Sequence, residues 1–230
     1  MKIVTIHQPE HLSYLGFFHK VAQADTLVLL DNVQFEKNYF QNRNRVYTSS
    51  GVQYVTVPVN DPSRKISEVM IAPEFAKSVQ RKNVLTIERS YSKCPFWKEY
   101  GNAFLDIYTN ETKQLALFNE KLLKWALACL YIDVEIISAS TMDVKGSKTD
   151  LLLDICHKTG AGKYVSGISG LEYLEREKFD IPVEFQQFVH PCYTQWGKSQ
   201  FEPYMSVIDA LFNVGSDIMQ IINVANGKKK

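Results

Sequence analysis

The sequence has no run of about 18 consecutive apolar residues, the least that crosses a bilayer as a helix, so no membrane span is expected. Its four cysteines, Cys94, Cys129, Cys156 and Cys192, are scattered without a CxxC pair. That excludes a disulfide framework and the usual zinc spacings. The five histidines include no HxH pair, and no metal site is expected from them. Charge of one sign is not in excess either. Lys+Arg 26 against Asp+Glu 25 leaves a formal charge of +1, without the electrostatic footprint of a general nucleic-acid binder. Neither the P-loop nor the dinucleotide glycine fingerprint occurs. The first strand begins at Met1 or Lys2, which leaves no room for a signal peptide, so the chain reads as cytoplasmic. The tail Lys228-Lys229-Lys230 reads as a solvated end.

What is present is an alternation of strands and helices. Lys2 to His7 (KIVTIH) is rich in β-branched residues and halts at Gln8-Pro9, because proline cannot continue the ladder. Leu15 to Ala24 reads as a short helix with Phe18, Val21 and Ala22 on one face. Thr26 to Leu30 (TLVLL) is a near-continuous apolar strand. Strand, helix and fully apolar strand make a βαβ unit in a parallel sheet covered on both faces. Asp31 to Ser50 is too polar for core, and Gln53 to Val59 follows as an alternating strand paired through Ser49-Ser50-Gly51. Ile66 to Ile71 reads as an edge strand.

From about residue 73 to 131 the pattern is helical, cut at Pro95 and again near Tyr108 to Glu111 into two or three helices. Further strands are expected at Val134 to Ser138, Lys163 to Ser166 and Val183 to Val189. Helices are expected at Leu151 to Lys158 with a stop at Gly160, at Leu171 to Glu177, and at Pro203 to Phe212. The fold class is therefore α/β, one domain over 1–230 with a mainly parallel central sheet and an inserted helical section. Trp97, Tyr100 and Phe104 read as core or as a dimer face.

Chemistry-bearing residues gather after strand ends, where α/β sheets bind ligands. His7 and Gln8 follow the first strand. Asp31 follows the second, placed to orient His7, with Gln34 beyond it. Asn42, Arg43 and Arg45 lie in a polar run, and their alternation aims both guanidinium groups to one side, as recognition of phosphate, carboxylate or sugar hydroxyls requires. Ser166-Gly167 sits in a glycine-bearing turn that lets backbone approach an anion. His190 and Tyr193 follow the last strand and offer a second acid/base group and a binding hydroxyl.

Together the blocks IHQPEHLSYLGFFHKVAQADTLVLLDNVQFEKNYFQNRNRV, VTVPV, KTDLLLDICHKTGAGKYVSG, FVHPCY and FEPYMSVIDALF resemble the WbqC-like family, in order along nearly the whole chain. The matching positions are His7, Gln8, Asp31, Gln34, Asn42, Arg43, Ser166, Gly167 and His190. The chain departs from the family's pattern in carrying His11 for tyrosine, Ser13-Tyr14 for Pro-Trp, and Lys82-Asn83 for a Lys-His pair. The resemblance implies a bacterial transferase of O-antigen, lipopolysaccharide or other surface-polysaccharide biosynthesis. Its expected reaction adds an acyl or aminoacyl group, glycyl among them, to the amine of a nucleotide-linked amino sugar. The expected donor is acyl-CoA, an acyl carrier protein, aminoacyl-tRNA, or ATP with an acid. The opening βαβ unit is also similar to that of pantothenate synthetases, although their HxGH signature is missing. This keeps open an ATP-dependent ligase or nucleotidyltransferase, and a sugar-nucleotide-binding module without catalysis is the third reading.

Overall fold

The computed structural model describes residues 1–227; the lysine tail at 228–230 lies outside the described residues. β1 (Ile3–His7) leads through α1 (Leu15–Val21) to β2 (Thr26–Leu29). A long excursion follows: the hairpin β3 (Arg43–Thr48) and β4 (Gly51–Thr56), the two-residue pair β5 (Val59–Asn60) and β6 (Met70–Ile71), then helices α2 (Gln80–Tyr91), α3 (Trp97–Thr109) and α4 (Leu115–Cys129). The chain re-enters the sheet as β7 (Glu135–Ser138), crosses by α5 (Lys148–Thr159) to β8 (Lys163–Ser166), and reaches β9 (Val183–Phe185). α6 (Val207–Val214) and α7 (Ile218–Ala225) close it.

The central sheet has five strands in the order β7-β2-β1-β8-β9, and every pairing in it is parallel. Numbered by their own succession the strands run 3-2-1-4-5. The order therefore reverses between β1 and β8, the topological switch point of a doubly wound sheet. Alternation along the strands feeds two cores. Leu27 and Leu29 pack with Phe17, Phe18 and Val21 of α1. Val4, Ile6 and Val28 pack on the other face with Leu152, Ile155 and Cys156 of α5. Both faces are covered, as the continuous apolar run of β2 requires. α5 stops where expected, at Gly160 in a left-handed conformation (φ 67°) that glycine adopts without a Cβ penalty.

Several elements differ from their expected form. The polar stretch before Ser50 contains β3, whose alternate residues Asn44, Val46 and Thr48 are buried, the two polar ones donating to the Leu12 and Gly51 carbonyls. Ile66 to Ile71 is a 3-10 turn followed by a two-residue strand. The last sheet strand ends at Phe185, and the 168–178 region forms two 3-10 turns in place of a helix. Val207–Ala225 has the length and composition to cross a membrane, with mean hydropathy 1.2, yet 56% of that window is buried in the fold. Asp209, Asn213 and Asp217 interrupt its apolar run, and Gly215 (φ 64°) breaks it into two helices.

Candidate functional site

A crevice of about 740 Å³ opens where β1 and β8 part company, a volume within the usual range for small-molecule sites. Four of the expected site residues line it: His7 and Gln8 after β1, and Ser166 and Gly167 after β8. Gly170, one turn further, has no room for a methyl group, since a Cβ there meets the Ser166 hydroxyl, Leu174 and Phe185. Gly170→Ala is expected to cost about 1–3 kcal/mol by overpacking and to displace Ser166, read as a lower urea midpoint and weaker ligand binding.

The imidazole of His7 has both nitrogens engaged. Lys20 Nζ lies 2.9 Å from Nδ1 and donates to it, and also donates to the Ile6 carbonyl at 3.1 Å. An ammonium can only donate, so Nδ1 carries the lone pair and the ring proton sits on Nε2. That proton points at Glu10 Oε1, 3.0 Å away. Lys20, His7 and Glu10 thus form a hydrogen-bonded array along one wall of the crevice. Burial, then the Lys20 charge, lowers the His7 pKa, while Glu10 raises it. Burial also pulls Lys20 down to about 8, against the attraction of Glu10.

The sign of the Lys20 shift makes a stability prediction. An unfolded lysine binds its proton up to about pH 10.5, whereas the folded one releases it near pH 8. Between those values the unfolded chain holds more protons, so stability rises with pH across that window. Lys20→Met removes the titration. Urea midpoints of parent and variant across pH 7 to 10 are expected to move relative to each other in favour of the parent as pH rises; parallel curves would contradict the burial cost.

The opposite wall comes from the loop after β2 and from the segment after β8. Glu36 and Tyr39 stand on the first, Tyr173 and Glu175 on the second, and Lys148 opens α5 beside them. Tyr39 and Tyr173 line the crevice and are 45% and 55% exposed. The Tyr39 hydroxyl is pushed up by burial, then by the charges of Glu10 and Glu36. Among the described residues no three His, Cys, Asp or Glu side chains converge as a metal site.

The remaining expected residues are used elsewhere. Asp31 does not meet His7: its carboxylate accepts from Ser140 N at 2.7 Å and Ser140 Oγ at 2.5 Å. The cause is strand order. β2 lies between β1 and β7, and Asp31 caps the turn that follows β7. Gln34 donates to the Pro62 and Arg64 carbonyls, and Asn42 to the Val57 carbonyl. Arg43 and Arg45 do share a face of β3. That face belongs to a separate hairpin, where Arg43 covers the Tyr54 ring at 4.7 Å and bonds Asn38 O, and Arg45 bonds Tyr204 O at 2.7 Å. His190 has both ring nitrogens in backbone contacts, Nδ1 donating to Pro191 O and Nε2 accepting Tyr204 N–H. Tyr193 gives its hydroxyl to buried Asp209. His11 turns away from His7 into the helical section, where burial lowers it to about 4 and Asn119 hydrogen-bonds Nδ1.

Lys20 and Glu10 line the crevice without having been among the expected residues. The sequence signal for Lys20 was a charge in the mostly apolar segment LGFFHKV, which the fold buries whole. Glu10 sits within the HQPEH block itself.

A family model described as the WbqC-like protein family matches residues 8–221. The chain is 32% identical over 227 residues to "Uncharacterized protein Rv1507c" of Mycobacterium tuberculosis, covering 94% of this chain and 96% of that one. No solved structure matches.

Proposed function

The chain belongs to the WbqC-like protein family, and from that premise we propose that it is a cytoplasmic enzyme transferring an acyl or aminoacyl group to the amine of a nucleotide-linked amino sugar in surface-polysaccharide biosynthesis. The observation that carries this reading is the Lys20–His7–Glu10 array in a crevice at the switch point. In the transfer the amine nitrogen bonds to the donor carbonyl carbon, the carbonyl–leaving-group bond breaks, and the nitrogen loses a proton. Glu10 is the base that takes it. His7 donates Nε2–H to Glu10, and Lys20 keeps that tautomer by occupying Nδ1. This replaces the pairing of His7 with Asp31, and His190 has no part in it. Glu36 supports an incoming ammonium group, and the rings of Tyr39 and Tyr173 support a sugar or base face at the mouth.

The test is incubation with UDP- and dTDP-linked amino sugars and activated donors, acyl-CoA, acyl carrier protein and aminoacyl-tRNA among them, read by mass. A mass gain equal to the acyl group on the sugar is expected; unchanged acceptors with every donor would sink the reading. A second reading is favoured by the 3-2-1-4-5 order, which places the crevice where nucleotides bind in doubly wound sheets. It is an ATP-dependent ligase or nucleotidyltransferase, and release of pyrophosphate or AMP would select it. Thermal stabilisation by sugar nucleotides without product from any donor would select a binding module.

A further inference from the structure

The direction of one side-chain amide in the crevice follows from donors that cannot be reversed. The backbone N–H of Glu36 donates to Gln41 Oε1 at 2.8 Å. A backbone N–H only donates, so the oxygen of the buried Gln41 amide must face it and Nε2 must face the other way. There Gln41 Nε2 meets Gln8 Oε1 at 2.7 Å. Gln8 therefore presents its oxygen to Gln41, which leaves the two N–H bonds of its Nε2 for the crevice it lines. Gln41 is anchored in turn: Asn119 Nδ2 of α4 donates to its carbonyl at 2.7 Å, and Asn119 Oδ1 meets His11 Nδ1 at 3.2 Å. His11 Nε2 contacts the Tyr108 hydroxyl at 3.3 Å, which accepts from Asn83 at 3.0 Å. A buried polar chain thus runs from the helical section to the Gln8 amide and to the backbone of Glu36.

We propose that the Gln8 amide is the donor that holds the acyl carbonyl oxygen, and that Gln41 is the positioning residue that aims it. This rests on the transfer reading above. When the amine adds to the carbonyl carbon, the carbonyl π electrons pass to the oxygen, which becomes an oxyanion. When the donor's leaving group departs with its bonding pair, the carbonyl re-forms. A preorganised N–H aimed at that oxygen lowers the barrier without reorganising. Asparagine or glutamine amides serve this purpose when a second contact fixes which end faces the substrate. Here Gln41 supplies that contact.

The experiment uses the full chain labelled with ¹⁵N and a probe that carries an acylated amino sugar, UDP-N-acetylglucosamine. The Gln8 side-chain amide signals are those lost in Gln8→Leu. They are expected to shift as the probe is added to the parent protein. In Gln41→Glu the new carboxylate still accepts the Glu36 N–H but repels Gln8 Oε1, so the Gln8 amide turns over and its N–H signals no longer respond. The thermal midpoint of Gln8→Leu reports folding independently. In turnover, Gln8→Leu is expected to lower kcat by about 100-fold with little change in KM for the amino sugar. A Gln8 amide unmoved by saturating probe, or a Gln8→Leu enzyme with the parent's kcat, overturns the assignment while leaving the transfer in place. A responsive Gln8 amide in a protein that acylates no acceptor keeps the carbonyl site and removes the transfer.

Discussion

Glu10→Gln is expected to lower turnover by roughly 10²–10⁴-fold, the usual contribution of a positioned general base, with little change in the urea midpoint. The amide keeps the shape of the carboxylate, and its oxygen still accepts the Nε2–H of His7. It cannot take a proton from an ammonium group, so chemistry fails while binding of the acceptor survives. The companion variant Asp31→Asn separates this mechanism from the one first expected. Asp31 contacts Ser140 and not His7, so Asp31→Asn is expected to leave kcat near that of the parent. Steady-state kinetics of the pair decide the matter: loss in Asp31→Asn with retention in Glu10→Gln would reverse the assignment.

The largest stability effect is expected at Asp209, about 3–5 kcal/mol lost in Asp209→Ala, because each buried donor left unsatisfied costs about 1–3 kcal/mol, measured by urea unfolding at pH 7. Asp209 stands on α6, only 1% exposed. Its Oδ1 accepts the Tyr91 hydroxyl at 2.9 Å, and its Oδ2 accepts the Tyr193 hydroxyl and Gln195 Nε2, each at 2.8 Å. Burial raises its pKa, while the Gln195, Tyr193 and Tyr91 donors and the charge of Lys198 oppose the rise. Removing the carboxylate strands three buried donors from two segments: Tyr91 at the end of α2, and Tyr193 and Gln195 in the loop between β9 and α6. Tyr91 also accepts the Tyr47 backbone N–H of β3, so the hairpin loosens with them. A loss below about 1 kcal/mol, the scale of an ordinary surface change, would show the cluster to be relaxed by water. The same contacts commit the one hydroxyl proton of Tyr193 to Asp209.

The sequence by itself determined the two-faced parallel sheet. The β-branched run ending at Pro9, the continuous apolar run TLVLL and the glycine after α5 state local chain geometry that tertiary packing did not override. It also determined that crevice-lining residues follow β1 and β8, because the ends of parallel strands are where side chains and backbone N–H groups are free. His7, Gln8, Ser166 and Gly167 are in the crevice for that reason. The shared face of Arg43 and Arg45 was legible as well, since period-two alternation is local.

Only the tertiary structure decided which strand ends are neighbours. β2 has β1 on one side, as the βαβ unit requires, but β7 on the other, and Asp31 turns to the segment after β7, away from His7. It alone decided that Lys20, 13 residues after His7, returns to the imidazole, and that Glu10 takes the other nitrogen. Hydrogen-bond direction is a property of pairs in space: no reading of residue types along a chain assigns the tautomer of His7 or the facing of Gln8. The feature first legible as a histidine at a strand end is, in the folded protein, the middle of a three-residue array.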